Sequence, residues 1–109
     1  SIHQNSYPEE AIHGAQVFYY EDSSEGKKLA EILQKHLVEV LDKENHRQAK
    51  GNRTYYMLKK TEATLVIVEC GFLSNNQALL LTDEKYQNKV AKAICSGTLE
   101  YLSSLAEKK

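Results

Sequence analysis

The sequence predicts an α/β fold in which helices cover a sheet. One observation is the short apolar run from Thr64 to Val68, which does not alternate with polar residues and is typical of a strand buried on both faces. The other is a pair of long segments, residues 24–44 and 82–105, with apolar side chains at helical spacing. Because strands of this kind occur in parallel sheets with helices packed on them, the two observations together indicate an α/β layer architecture.

The first half of the chain predicts a strand end, a strand and a helix. Residues 1–3 look like the end of a strand that runs into a loop over residues 4–13. Residues 15–20 are rich in aromatic and β-branched side chains, which favours a strand. Helix start signals follow at residues 22–24. The expected helix continues to about Glu44 with one apolar stripe: Leu29, Ile32, Leu33, Leu37, Val40 and Leu41.

The second half predicts two strands before the last helix. Residues 45–54 are polar and read as a connection, residues 55–60 suggest a short strand, and residues 64–69 form the buried strand. We expect Gly71 to serve a tight turn after that strand.

Helix start signals then return at residues 82–84, with acidic side chains near the positive end of the helix. Gly97 within this helix is expected to permit close packing against the sheet. The expected buried stripe comprises Tyr86, Val90, Ala93, Ile94, Gly97, Tyr101 and Leu105.

Composition limits the classes of function. With 109 residues, of which 41% are hydrophobic, the chain fits one small globular domain. A formal net charge of −1 gives no electrostatic argument for nucleic acid or an anionic membrane surface as partner. No apolar stretch approaches the ~18 residues of a transmembrane helix. Cys70 and Cys95 do not make a disulfide framework, and we expect both to be small buried side chains.

Two ionisable residues stand at predicted strand ends. Glu69 closes the buried strand, where a carboxylate either caps the strand by bonding nearby amides or is paired or catalytic, because an unpaired buried charge is costly. His3 stands at the end of the opening strand. If the two strands are parallel neighbours, His3 and Glu69 share one rim of the sheet, which suggests a metal site with a nearby base.

Five segments of the chain carry a resemblance to a known family. They are Ser1–Asn5, Gly14–Tyr20, Asn45–Lys50, Tyr55–Thr61 and Val68–Asn75. In this order they resemble the zinc-dependent N-acetylmuramoyl-L-alanine amidases (amidase type 3), most closely the germination-specific spore-cortex branch. The resemblance implies that residues 1–109 are the C-terminal portion of a single amidase catalytic domain. It also implies part of a mixed, mostly parallel sheet flanked by helices.

The resemblance implies an enzyme that hydrolyses the amide bond between N-acetylmuramic acid and L-alanine in peptidoglycan. His3 matches a zinc-ligand histidine of the family, and Glu69 matches its general base and acid. The other zinc ligands would lie upstream of Ser1, so we expect the chain alone to be inactive. The family also implies an extracytoplasmic location (cell wall, periplasm-like space or forespore intermembrane space) and a role in wall remodelling, sporulation or germination.

Four other polar residues are weaker candidates for substrate contacts. Asn5 could bond substrate or the loop backbone, and Asn75 could bond substrate or cap a helix. Arg47 and Lys50 could contact stem-peptide carboxylates or the muramyl lactyl region, or they are solvated loop cations. A truncated sheet would expose an unpaired edge, so we also expect the chain to self-associate.

Two other interpretations stay open at this stage. A non-catalytic peptidoglycan-binding module with the same fold is one, and an unrelated α/β domain with structural acids is the other. Retention of both His3 and Glu69 favours the enzyme, because a binding module has no need of an acid beside a metal-ligand histidine.

Overall fold

The structure is a computed structural model that describes residues 1–5, 14–72 and 84–107, with backbone only for residues 4, 5, 71 and 72. Within these ranges the chain forms four strands and three helices. They are β1 (Ile2–Asn5), β2 (Gln16–Tyr20), α1 (Ser24–Leu41), β3 (Lys50–Asn52), α2 (Tyr56–Lys59), β4 (Val66–Phe72) and α3 (Glu84–Ala106). No helix in the described ranges is long and apolar enough to cross a membrane.

The described strands form one sheet in the order β1-β4-β2-β3. β1 runs parallel to β4, and β2 runs parallel to β3. The central pair, β4 and β2, is antiparallel. The sheet is therefore mixed with two parallel pairs out of three, which confirms the fold class that the sequence predicts.

The two faces of β4 enter different apolar clusters. Val66, Val68 and Cys70 belong to the larger cluster, which also contains buried residues of α1 and α3. Ile67 belongs to a smaller cluster with Phe18 of β2 and Leu58 of α2. Because side chains alternate along a strand, Glu69 lies on the same face as Ile67, opposite to Cys70.

Helix α1 begins as its sequence predicts. The N-cap is Ser23, whose Oγ accepts a hydrogen bond from the amide of Gly26 at 2.9 Å. The helix ends at Leu41, three residues earlier than expected, because Asp42 adopts an extended backbone conformation.

Within residues 45–60, the predicted connection is confirmed for residues 45–49 and 53–54, but the rest of the prediction is wrong. The strand lies within the expected connection, as β3, and the expected strand at 55–60 contains helix α2. β3 contains Lys50, Gly51 and Asn52, none of which has an apolar side chain, and it is held by pairing with β2, so it carries no apolar pattern. The Asn52 Oδ1 then accepts hydrogen bonds from the amides of Thr54 and Tyr55, at 2.8 and 2.9 Å, which turns the chain into α2.

Strand β4 begins two residues later and ends three residues later than predicted. It continues to Phe72, so Glu69 lies in its middle and Gly71 is a strand residue rather than part of a turn. The register explains the extension, because β4 stays paired with β1 as far as Phe72 and Asn5. The register shifts after His3, so β4 contains one more residue than β1 there, as in a β-bulge.

Three expectations about α1 and α3 also need correction. Cys95 is exposed and Val40 is 43% exposed. Cys95 lies off the buried stripe of α3, which follows the helical spacing of Val90, Ala93, Gly97 and Tyr101. Gly97 permits close packing against α1 rather than the sheet, since a Cβ there would lie 2.7 Å from Leu33 Cδ2. The expected helical turn at residues 74–81 and the helix start at 82–83 lie outside the described residues.

Candidate active site

His3 and Glu69 are Cα partners across the parallel strands β1 and β4. The strands that carry them are therefore the parallel neighbours that the sequence argument assumed as its condition. Their surroundings differ, because His3 is exposed and Glu69 is only 7% exposed. The hydroxyl of Ser1 and Nε2 of His3 are hydrogen-bond partners at the edge of the sheet.

The two carboxylate oxygens of Glu69 are in unequal environments. Oε1 accepts a hydrogen bond from the hydroxyl of Tyr55 at 3.4 Å. Oε2 is buried and has no hydrogen-bond partner among the described residues. A carboxylate that only capped a strand would bond nearby amides, since a buried unsatisfied oxygen costs free energy. The unsatisfied oxygen favours the paired or catalytic interpretation of Glu69.

Gln16 flanks Glu69 on the side opposite to His3. It is the cross-strand partner of Glu69 in the antiparallel pair of β2 and β4, and this pairing ends at these two residues. Gln16 Nε2 donates to the carbonyl of Gln48 at 2.9 Å, and Gln16 Oε1 accepts from Arg47 Nη2. Glu69 thus lies between His3 on β1 and Gln16 on β2, and the side-chain amide of Gln16 is bound to Arg47.

Arg47 is half-buried next to this group. Its Nη1 donates to the carbonyl of Gly14 at 3.3 Å, in addition to the bond to Gln16. Burial lowers the pKa of the Arg47 guanidinium, and the negative charge of Glu69 acts in the opposite direction. The electrostatic interaction means that Arg47 offsets part of the cost of burying the Glu69 carboxylate.

Asn45 holds the segment that carries Arg47. Its Nδ2 donates to the carbonyl of Ala15 at 3.0 Å, and its Oδ1 accepts from the amide of Arg47 at 2.9 Å. Gly14 has a φ of 98°, and a Cβ there would lie 2.7 Å from the Asn45 side chain. Glycine is therefore required at position 14, both for its conformation and for the close approach of Asn45.

The ring of Tyr55 packs on the face of the sheet that carries Glu69. Its centroid lies 5.6 Å from that of Phe18, with an interplanar angle of 82°. Burial, followed by the negative charge of Glu69 and the hydrogen bond to it, raises the pKa of the Tyr55 phenol. The phenol therefore stays protonated at neutral pH and acts as a donor to the carboxylate.

The other candidates are not all brought together. Arg47 approaches Glu69, whereas Lys50 is exposed on β3, which β2 separates from β4. Asn5 lies on β1 two residues after His3, and only its backbone is described. Asn75 lies outside the described residues.

Sequence reasoning missed Gln16, Tyr55 and Asn45. In the sequence, Gln16 is the polar residue at the start of an otherwise apolar and aromatic strand segment, and Asn45 is a polar residue in a connection. Neither pattern indicates which distant residue such a side chain contacts.

The side chains of His3 and Glu69 fit part of a metal site. Within the described ranges, no three His, Cys, Asp or Glu side chains are grouped to hold a metal ion. His3 offers an exposed imidazole, and Glu69 Oε2, on the neighbouring strand, is a buried acceptor without a partner. A catalytic zinc ion usually takes three protein ligands. His3 could therefore be one ligand of a site that needs others.

A family model and a relative of known sequence both match most of this chain. Residues 1–100 match the family model described as N-acetylmuramoyl-L-alanine amidase. The germination-specific N-acetylmuramoyl-L-alanine amidase of Bacillus subtilis is 38% identical over 104 residues, which cover 94% of this chain and 44% of that protein.

Solved structures of similar proteins share the fold of this chain. The CwlD amidase of Clostridioides difficile, in complex with the GerS lipoprotein, matches with a TM-score of 0.91 and 43% identity, over 94% of this chain and 53% of that one. The amidase AmiC2 of Nostoc punctiforme matches with a TM-score of 0.79 and 30% identity, over 94% and 56%. The chain thus spans about half the length of these solved relatives and less than half of the Bacillus subtilis relative.

Proposed function

The chain belongs to the N-acetylmuramoyl-L-alanine amidase family, and from that premise we propose that it is the C-terminal portion of a peptidoglycan amidase catalytic domain. The bond cleaved is the amide between N-acetylmuramic acid and L-alanine. The relatives named above include a germination-specific amidase. The proposed setting is accordingly the cell wall or spore cortex, outside the cytoplasmic membrane.

One observation carries the proposal most directly. The buried Glu69 Oε2 has no hydrogen-bond partner among the described residues, and Glu69 is in register with His3 on the neighbouring strand. A buried carboxylate oxygen left without a donor is suited to accept a proton from a substrate or a water molecule. Its position beside a histidine is the combination that a metal-assisted hydrolase needs.

The reaction requires an activated water molecule and a protonated leaving group. When bound, a zinc ion would polarise the scissile carbonyl and make water acidic enough to attack at neutral pH. We assign His3 as one of its ligands, with the others supplied from elsewhere in the protein. Glu69 would take a proton from the attacking water and deliver it to the nitrogen of L-alanine as the amide bond breaks.

The polar residues around Glu69 would support its role as the base. The charge of Arg47 interacts favourably with the Glu69 carboxylate, and Gln16 keeps the guanidinium at the start of β2. Asn5, Arg47 and Asn75 remain proposed contacts to the substrate. Lys50 is the weakest of the proposed contacts, because a strand separates β3 from β4.

The test compares the full-length protein, its Glu69→Gln variant and the 109-residue chain alone, by zinc content and by peptide release from purified peptidoglycan. We expect the full-length protein to bind zinc and release peptides, the variant to keep zinc and lose nearly all of its activity, and the chain alone to be inactive. A full-length protein that binds peptidoglycan without releasing peptides would instead be a wall-binding module. Peptide release by the chain alone would show that the domain assignment is wrong.

A further inference from the structure

Tyr55 contributes the one hydrogen bond that the Glu69 side chain accepts from the described residues. Its hydroxyl donates to Oε1 at 3.4 Å, and Oε2 has no partner. The bond is long for an O–H···O contact, but hydrogen bonds in active sites without substrate are often long and shorten when substrate is bound.

The position of the Tyr55 hydroxyl is fixed from two sides. The ring packs edge-on against Phe18, which belongs to the smaller apolar cluster of the sheet. The backbone amide of Tyr55 donates to Asn52 Oδ1 at 2.9 Å, and Tyr55 is the N-cap residue of α2. The ring contact and the backbone hydrogen bond together restrict movement of the hydroxyl away from the carboxylate.

We propose that Tyr55 is the positioning residue of Glu69: its hydroxyl holds Oε1 and so fixes the orientation of the carboxylate that takes the proton of the attacking water. The terminal torsion of a glutamate has broad minima, so a carboxylate without a donor would rotate and exchange its two oxygens. The hydrogen bond limits that rotation. This inference rests on the proposed amidase function and adds to it the residue that orients the base.

The variant Tyr55→Phe removes only the hydroxyl and keeps the ring that packs on Phe18. A base that loses its orientation lowers the rate of the chemical step more than the binding of substrate. We expect kcat for peptide release to fall about tenfold, with KM changed less than twofold. The matched control is Tyr56→Phe, because Tyr56 is the next residue and is 74% exposed; it should leave both constants unchanged.

The experiment uses the full-length protein with Tyr55→Phe, Glu69→Gln and the double variant, and measures kcat, KM, zinc content and the melting temperature of each. If Tyr55 acts through Glu69, the double variant is no slower than Glu69→Gln alone, and Tyr55→Phe retains zinc and melts close to the parent. Non-additivity of this kind separates positioning from a structural role, because losses from independent causes multiply.

Two results would overturn the inference and leave the amidase function in place. One is an unchanged kcat in Tyr55→Phe while Glu69→Gln lowers kcat strongly to a residual, measurable rate. The other is a double variant that is about tenfold slower than Glu69→Gln, since Tyr55 would then act elsewhere. If the full-length protein releases no peptide at all, or if Glu69→Gln retains full activity, the proposed function itself fails and the positioning role fails with it.

Discussion

His3 and Glu69 are paired in register across β1 and β4, yet one side chain is exposed to solvent and the other is buried. The pairing places a potential metal ligand and a potential base on adjacent strands, which fixes their relative position through backbone hydrogen bonds. The difference in burial agrees with the different roles proposed for the two side chains. An exposed imidazole is accessible to an ion, whereas a buried carboxylate interacts strongly with the few charges near it.

The first prediction concerns His3. In the full-length protein, His3→Ala should lower zinc affinity by at least tenfold and reduce peptide release in parallel, because the zinc ion would lose one of its protein ligands. Zinc content after dialysis, measured by mass spectrometry, checks this. His46→Ala is the matched control, since His46 is also exposed but lies in the connection after α1. Full zinc retention by His3→Ala would exclude His3 as a ligand.

The strongest sequence patterns predicted the corresponding elements well. Strand β4 and helices α1 and α3 each bury several apolar side chains, so their periodicity is visible in the sequence. β3 and α2 were not predicted correctly, because β3 depends on backbone pairing with β2 and α2 buries only Leu58. Where tertiary pairing rather than local pattern determines an element, the sequence carries little signal.

The candidate site was predictable only in part. The strand pattern put His3 and Glu69 at strand ends without showing that the two strands are neighbours, and the family resemblance assigned their roles. The contacts between Arg47 and Gln16, and between Tyr55 and Glu69, join residues 31 and 14 positions apart. Such pairs are set by how strands and loops fold together, which periodicity does not reveal.

The second prediction concerns Gln34, which is buried within α1. Its Oε1 accepts from the amide of Val17 at 2.8 Å, and its Nε2 donates to the carbonyl of Ala15 at 3.0 Å. Gln34→Ala should lower the free energy of unfolding by roughly 1–3 kcal/mol, because the amide of Val17 would be left without its acceptor. Urea unfolding of the full-length protein checks this, with the exposed neighbour variant Lys35→Ala as control. Equal stability of the two variants would contradict the prediction.

The third prediction separates the two cysteines. Burial, and secondarily the charge of Glu69, raises the pKa of the Cys70 thiol, whereas Cys95 is exposed on α3. Because the thiolate is the reactive form, iodoacetamide at pH 8 should alkylate Cys95 and leave Cys70 intact in the folded protein. Peptide mass spectrometry locates the adduct, and both cysteines should react in urea. Modification of Cys70 under native conditions would show that this face of β4 is open to solvent.

The raised pKa values of Cys70 and Tyr55 predict a loss of stability at high pH. The folded state raises the pKa of Cys70 and of Tyr55, so it retains protons that the unfolded chain has released. Their contribution is therefore fully present below the unfolded pKa values, about 8.5 and 10, and is lost as pH rises through the higher folded values. Urea midpoints measured from pH 7 to 11 should fall on the alkaline side. Cys70→Ala should delay the start of that fall, and an unchanged profile in this variant would contradict the assignment.

The last prediction concerns self-association of the 109-residue chain prepared alone. Among the described strands, β1 pairs only with β4, and its Ile2 is 62% exposed. An open strand edge with an apolar side chain is a template for pairing with another chain. Sedimentation velocity should therefore show dimers or larger species that increase with concentration. Ile2→Lys should shift the distribution towards monomer, because a charged side chain opposes edge-to-edge pairing. A chain that remains monomeric at all concentrations would show that this edge does not drive association.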